Sequence, residues 1–315
     1  MSGPALPSVT AIVATRDRPE LLREALASIV ACRYDGELDV VLVFDQSEPD
    51  QTLAGVHGGR TVTVISNTRS PGLAGARNSG IAAATGELVA FCDDDDSWVP
   101  SKLEVQVPAL VAAPDAWFAV TGVFIRFKGR STPRVLDADR IALADLVHDR
   151  LAEAHPSTFL IRRDALLDDD GADRDGWIGP VDEGLPGGYA EDYDLLLRAA
   201  RAHDIVVVGV PLTVVNWHTS SFFFERWRTI DEALDHLLGK HPEFAGDAAG
   251  LARVEGQQAF AKAAMGDRGG ARRQAVQTLR HDWRQPRGWL ALVTSTGVVA
   301  PDAVLRALQS RGRGI

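Results

Sequence analysis

The sequence predicts an α/β fold: a mostly parallel central sheet flanked by helices, followed by a helical C-terminal extension. Three observations carry this. In the first hundred residues, apolar runs of strand length alternate with helical stretches. The polar clusters "TRDR", "FDQS" and "DDDD" close three of those runs. After Ser220 the pattern stays helical to the end. Apolar strands separated by helices suit a parallel sheet covered on both faces. With 315 residues, 45% of them hydrophobic, the chain can bury one large core and carry an appendage. The boundary is expected at residue 220, between a domain of residues 1–220 and an extension of residues 221–315.

The first strand is "VTAIVAT" (9–15). Asp17 is placed to cap the helix that follows and Pro19 suits its first turn. Leu21, Leu22, Ala25, Leu26, Ile29 and Val30 form one apolar face. "VVLVF" (40–44) and "TVTVI" (61–65) are the next strands, "GLAGARNSGIAAA" (72–84) is a helix of small residues, and "ELVAFC" (87–92) is the fourth strand. "WFAVTGVFIRF" (117–127), "STFLIR" (157–162), "IVVVGV" (205–210) and "LTVVNWH" (212–218) read as further strands, and "EDYDLLLRAARAH" (191–203) as a helix. The acidic, glycine-rich loop of residues 166–190 has a length that is uncommon unless functional. It suits either a lid or a solvated surface insertion.

Cys32 and Cys92 lie in apolar surroundings and make neither a disulfide framework nor a metal-ligand spacing. The N-terminal "MSGPALPSVT" has no basic region or apolar signal core, and "WLALVTSTGVVA" is too short to span a bilayer. The expectation is a cytoplasmic protein, at most peripheral at the inner membrane face. The net charge of −10 divides into −17 over residues 1–250 and +7 from residue 251 onward. The acidic part, with no recognition motif, argues against nucleic acid as a partner. The basic tail, with Trp283 and Trp289, suits packing on its own domain, a homo-oligomer through the C-terminal helices, or an anionic membrane surface. Packing or oligomerisation is the favoured reading.

In an open parallel sheet, ligands bind at the carboxyl ends of the strands. The three polar clusters would therefore gather along one edge. Four consecutive aspartates repel one another, and a cation resolves the conflict. On a strand end alternate residues share a side, so Asp93 and Asp95 can converge on one ion. Hard carboxylate oxygens suit Mg²⁺ or Mn²⁺, bound through one or two carboxylates plus substrate phosphates.

"SVTAIVATRDRPELLREALASI", "VVLVFDQS", "SPGLAGARNSGIAAATGELVAFCDDDDSW" and "GYAEDYDLLLRAAR" resemble, in order, the successive blocks of the inverting family 2 glycosyltransferases, which have the GT-A fold. The resemblance spans about residues 8 to 220. It implies a nucleotide-sugar donor, a hydroxyl-bearing acceptor (glycan, lipid-linked or small molecule), and Mn²⁺ or Mg²⁺. Thr15 and Arg18 match the stretch that closes the first strand beside the nucleotide base. Asp45 matches the acid that faces the base, although Phe44 and Gln46 replace an aspartate and a glycine of the family pattern. These departures leave the base open. Arg77, in "ARN", matches the helix beneath the donor, where it suits a phosphate contact or a helix–sheet ion pair.

Asp93 and Asp95 match the Asp-x-Asp motif, with Asp93 near the ribose or sugar and Asp95 on the metal. Asp94 lies between them, and a register slip of one residue is open. Glu191 and Asp192 match the family's Glu-Asp pair, with Asp192 as general base and Asp194 as an alternative two residues on. His218 matches a histidine that reaches the metal or diphosphate in some members. The resemblance therefore implies inverting transfer, most naturally from a UDP-sugar. A sugar-1-phosphate nucleotidyltransferase is the first alternative, but "VATRDRPELL" lacks the glycines that class uses. A non-catalytic nucleotide-sugar-binding scaffold is the second, against which the intact acids argue.

Overall fold

The structure is a computed structural model that describes residues 6–167, 176–217, 226–297, 299 and 301. It divides into two compact units. The first comprises Met1–Leu143, Leu151–Glu183 and Glu191–Trp217, and the second Ala144–Arg150, Gly184–Ala190 and His218–Ile315.

The first unit follows from its apolar runs. Strand β1 (Val9–Thr15) leads into helix α1 (Pro19–Val30), and β2 (Leu38–Phe44) pairs parallel to β1 with Thr15 opposite Phe44. β3 (Gly55–His57) and β4 (Arg60–Ser66) form a hairpin whose second strand extends the sheet in parallel. Helix α2 (Leu73–Ala83) carries the chain over to β5 (Leu88–Phe91), parallel to the other edge of β1. Then come β6 (Ser97–Trp98), α3 (Lys102–Val111), β7 (Phe118–Phe127), β8 (Arg130–Arg134), β9 (Arg140–Ile141), β10 (Leu160–Arg162), α5 (Glu191–Ala202) and β11 (Ile205–Asn216); α4 (Leu143–His148), between β9 and β10 in the chain, belongs to the second unit after its first residue. The sheet order is β3-β4-β2-β1-β5-β10-β7-β11-β6, with β8 on β7 and β9 on β11. Four strands, β4-β2-β1-β5, are parallel as expected, and β10 then enters antiparallel to both β5 and β7.

The core runs beneath this sheet, with Val13, Leu22, Ile29, Leu42, Leu88 and Leu103 all buried. Helix α2 is built of small residues because it lies close to the strands. A Cβ on Gly80 would stand 2.4 Å from Ile12, and one on Gly75 would stand 2.0 Å from the Ser70 carbonyl oxygen.

Three expectations change. Asp17 does not cap α1: it turns the chain at φ +54°, Arg18 takes the cap position with no side-chain bond, and Pro19 opens the helix. Pro at the first turn needs no amide partner, so the helix starts without a capping carboxylate. The two strands expected at 205–210 and 212–218 are one strand, β11, whose register against β7 shifts around Pro211. Pro lacks the ladder N–H, and the irregularity absorbs it. The run at 157–162 opens as a 3-10 turn (Pro156–Thr158) before its short strand.

The second unit is helical, with α6 (Trp227–Lys240), α7 (Ala248–Ala264), α8 (Arg268–His281) and α9 (Pro286–Ser295). Asp247 and Asp267 cap α7 and α8 through bonds to the amides of Gly250 and Gly270. Ala259, Phe260, Ala275 and Ala291 form its small core, with Trp227 edge-on to Phe260.

Candidate active site

The carboxyl ends of β2, β1 and β5 meet at one edge. β1 ends at Thr15, whose Oγ1 donates to Asp94 Oδ2 at 2.8 Å. Arg18 reaches back to the same turn, donating to Asp94 Oδ1 at 3.0 Å and Asp95 Oδ2 at 3.2 Å. Asp94 is thus turned inward against β1. Burial pushes its carboxyl up, against the pull of Thr15 and Arg18. Asp93 and Asp95 keep partly exposed side chains.

Asp45, next to Thr15 across the sheet, is buried and saturated. Its oxygens accept from Asn67 Nδ2 at 2.8 Å, Gln46 Nε2 at 2.9 Å and the Gly72 amide at 3.0 and 3.1 Å. Burial opposes its charge, but these bonds outweigh it and hold the carboxyl below the usual range. Gln46 follows in the left-handed region at φ +52°, a conformation that costs a non-glycine residue about 1 kcal/mol. Asp45 therefore fixes the loop that delivers α2.

Arg77, on α2, is fully buried. Its Nη2 donates to Asp93 Oδ1 at 2.7 Å, Nη1 donates to Glu191, and its guanidinium lies 5.3 Å from the Phe91 ring centroid. Both expected partners of the site, the acid turn after β5 and the start of α5, are therefore joined by one guanidinium. Burial pushes the Glu191 carboxyl up, with Arg77 opposing and the charges of Asp192 and Asp93 adding to the rise. Asp192 is half-buried beside it. Asp194 is fully buried and accepts from Arg198 Nε at 2.8 Å, while Arg198 also donates to the carbonyls of Ile178 and Gly179.

The fourth aspartate, Asp96, has no role in the sequence reading and turns out to anchor the turn. Ser157 Oγ donates to Asp96 Oδ2 at 2.6 Å and accepts from the Asp93 amide at 3.0 Å. From β11, the Asn216 amide donates to Asp96 Oδ1 at 3.2 Å and its side chain to the Asp95 carbonyl at 2.5 Å. Burial, with the nearby charges of Asp93 and Asp95, raises Asp96 well above the usual carboxylate range. His155 Nδ1 lies 3.4 Å from Asp96 Oδ2.

Asp93, Asp96 and His155 each offer a ligand atom, all within 4.8 Å of one another. Among the described residues, six carboxyl groups (Asp93 to Asp96, Glu191, Asp192) gather around the guanidinium groups of Arg18 and Arg77. Such a surplus of hard oxygen donors fits a divalent cation such as Mg²⁺ or Mn²⁺. His218 lies outside the described residues.

Sequence reasoning missed Asn67, Ser157 and Asn216. Asn67 directly follows β4, so the strand-edge rule extended by one strand would have found it. Ser157 and Asn216 gave no local signal. The loop of residues 166–190, which suited either a lid or a surface insertion, is pinned at Val181 and Glu183. Asn78 holds Val181 at both its amide and carbonyl, and Glu183 accepts from Asn78, Arg69 and the Ser70 amide.

The sequence profile described as Glycosyl transferase family 2 matches residues 10–180, more than half the chain. The chain belongs to that family. Among curated proteins, it is 31% identical over 162 residues to the succinoglycan biosynthesis protein ExoO of Rhizobium meliloti (strain 1021), covering 49% of this chain and 45% of that one. It is 34% identical over 73 residues to the UDP-Glc:alpha-D-GlcNAc-diphosphoundecaprenol beta-1,3-glucosyltransferase WfgD of Escherichia coli, covering 22% and 29%. These matches span less than half the length of either relative.

Of solved structures, S. aureus TarS 1-349 in complex with UDP-GlcNAc superposes with a TM-score of 0.58 at 18% identity, over 91% of this chain and 90% of that one. The mannosyltransferase PcManGT from Pyrobaculum calidifontis, in complex with GDP-Man and Mn2+, gives 0.54 at 18% identity, over 97% and 80%. The fold is that of the GT-A glycosyltransferases.

Proposed function

We propose that this family 2 glycosyltransferase is metal-dependent and inverting, moving one sugar from a nucleotide-sugar, most naturally a UDP-sugar, to an acceptor hydroxyl. The observation that carries this reading is the single acid cluster in which Arg77 joins Asp93, beside the Asp-x-Asp motif, to Glu191, beside Asp192. Inverting transfer needs two functions close together: a place for the diphosphate and a carboxylate for the acceptor proton.

In the proposed reaction, the acceptor oxygen attacks the anomeric carbon as the bond to the nucleoside diphosphate breaks on the opposite side. Asp192 takes the hydroxyl proton. Glu191 and Arg77 hold it in position, while Thr15, Arg18 and Asp45 shape the edge that faces the nucleotide. Asp93 and Asp94 belong to the same donor-binding turn, with Asp94 acting through Thr15 and Arg18. Asp95 with His218, or Asp93 and Asp96 with His155, would hold the cation. When bound, Mn²⁺ or Mg²⁺ would neutralise charge on the departing diphosphate.

A nucleotide-sugar donor is supported by the UDP-GlcNAc and GDP-Man complexes of the structural neighbours. The names of WfgD and ExoO favour a lipid-linked or growing glycan acceptor over a small molecule. The helices of the second unit form an extension in this reading, outside the catalytic domain. No helix among the described residues is long and apolar enough to cross a membrane.

Calorimetric titration of UDP, GDP and dTDP, each with Mn²⁺ and with EDTA, tests the donor half of the proposal. Binding of one nucleotide only in the presence of metal is the expected result. Equal binding in EDTA removes the metal from the mechanism, and binding of none overturns the assignment of the donor site.

A further inference from the structure

We infer that the outer face of α8 and α9 is a docking surface for an anionic lipid bilayer. The inference stands on the second unit alone and does not depend on the reaction proposed above.

Helix α9 divides cleanly. Ala291 is buried, and Leu290 and Leu292 pack against the core around Phe260 and Ala275. On the other side Pro286, Trp289 and Val293 stand at i, i+3 and i+7, all exposed, Trp289 by 52% and Val293 by 48%. Trp283, in the turn before α9, is 67% exposed. The helices of this unit pack on one another, and both tryptophans stay outside that packing. Exposed apolar groups that cluster, rather than scatter, mark an interaction surface.

The Trp289 Nε1–H donates to the Trp283 carbonyl at 2.8 Å. That indole already has its hydrogen-bond partner inside the protein, so it can leave water without leaving a donor unpaired. An indole in this condition suits the boundary between lipid headgroups and acyl chains.

The charge around the two rings is one-sided. Residues 268–297 carry six arginines and no lysine against a single acid, Asp282. The Asp282 carboxylate is engaged by the Arg284 amide at 2.9 Å. Arg284 lies 5.5 Å from the Trp283 ring centroid, and Arg273, Arg280 and Arg284 are exposed with no carboxylate in ion-pair range among the described residues. Exposed tryptophan with an exposed arginine stacked beside it complements an anionic headgroup layer. A symmetric contact with a second copy would instead set arginine against arginine.

The test is co-sedimentation of the full chain with vesicles of phosphatidylcholine alone, or with about 30 mol% phosphatidylglycerol, at about 0.1 M salt, where the Debye length is about 10 Å. Binding to the anionic vesicles alone, lowered by high salt, is expected. Trp283→Ala/Trp289→Ala and Arg280→Gln/Arg284→Gln should each weaken it about tenfold or more, with unchanged thermal melting in the absence of lipid. No binding to anionic vesicles, or binding unchanged in both double variants, overturns the inference. So does a concentration-dependent dimer, measured by light scattering, that the tryptophan substitutions abolish, because the partner is then a second copy. Should the tryptophan variant fail to fold, the arginine variant decides by itself.

Discussion

Arg77 donates from Nη2 to Asp93 Oδ1 at 2.7 Å, and the same guanidinium, through Nη1, holds Glu191, more than a hundred residues further along the chain. Helix α2 is thereby the clasp between the acid turn after β5 and the first turn of α5. A planar guanidinium can address two carboxylates at once, which a lysine ammonium on a single stem does poorly. Arg77→Gln leaves both acids without their shared cation and is expected to cost about 3–5 kcal/mol in thermal or urea unfolding. Arg77→Lys should fall between that variant and the parent. In a double-mutant cycle with Glu191→Gln, a coupling of about 0.5–3 kcal/mol is expected, and strictly additive losses would show that the two do not act as a pair.

Asp192 and Asp194 lie on one turn but in different surroundings. Asp194 is fully buried and paired with Arg198, so Asp194→Asn should lower stability, because it leaves a buried guanidinium short of its counter-charge. Asp192 is half-buried, and Asp192→Asn should keep both the melting temperature and nucleotide binding while transfer falls by about 10²–10⁴-fold. Melting curves, nucleotide titration and turnover measured on both variants distinguish the roles. Unchanged turnover in Asp192→Asn would remove it as the base.

The small residues of α2 are a packing requirement. A Cβ at position 75 would stand 2.0 Å from the Ser70 carbonyl oxygen, which is backbone and cannot rotate away. Gly75→Ala should therefore displace the 67–72 loop that Asp45 holds, at a cost of about 1–3 kcal/mol. A lowered urea midpoint with an unchanged denaturant slope is the expected outcome, and parental stability would show that the loop is free to move.

What the sequence could disclose was set by how far each signal reaches along the chain. Thr15, Asp45 and the four aspartates were legible because each closes an apolar strand, and a parallel sheet collects such ends. Strands β6 and β9 have two residues each, too few to show a period, and they exist only through their pairing with β11. The cap expected of Asp17 failed because the chain turns at that residue with φ +54°, a choice that local propensity does not encode. Ser157 and Asn216 clamp the acid turn from 61 and 121 residues away, a register that only the folded sheet creates. Asp96 was visible as one more acid, but its orientation inward was not.

Lys102 provides a test that depends on pH. It is fully buried on α3, where its Nζ donates to Gln106 Oε1 at 2.6 Å and the Thr158 carbonyl at 3.1 Å, with the Trp98 ring 5.2 Å away. Both acceptors are neutral, so these contacts replace only part of the hydration the ammonium gives up. Burial pushes its pKa from 10.5 down to about 7. Between those values the unfolded chain holds a proton that the folded chain does not. Stability therefore rises with pH through that window, and the contribution is lost as pH falls toward 7. The full swing is on the order of a few kcal/mol. Lys102→Met, close in volume and without a charge, should be more stable than the parent near pH 7 and should flatten the dependence between pH 7 and 10.5. Urea midpoints taken across that range check it. A parent whose midpoint is flat there would mean that Lys102 stays charged in the fold, and Lys102→Met would then leave Gln106 and Thr158 without their donor for no gain.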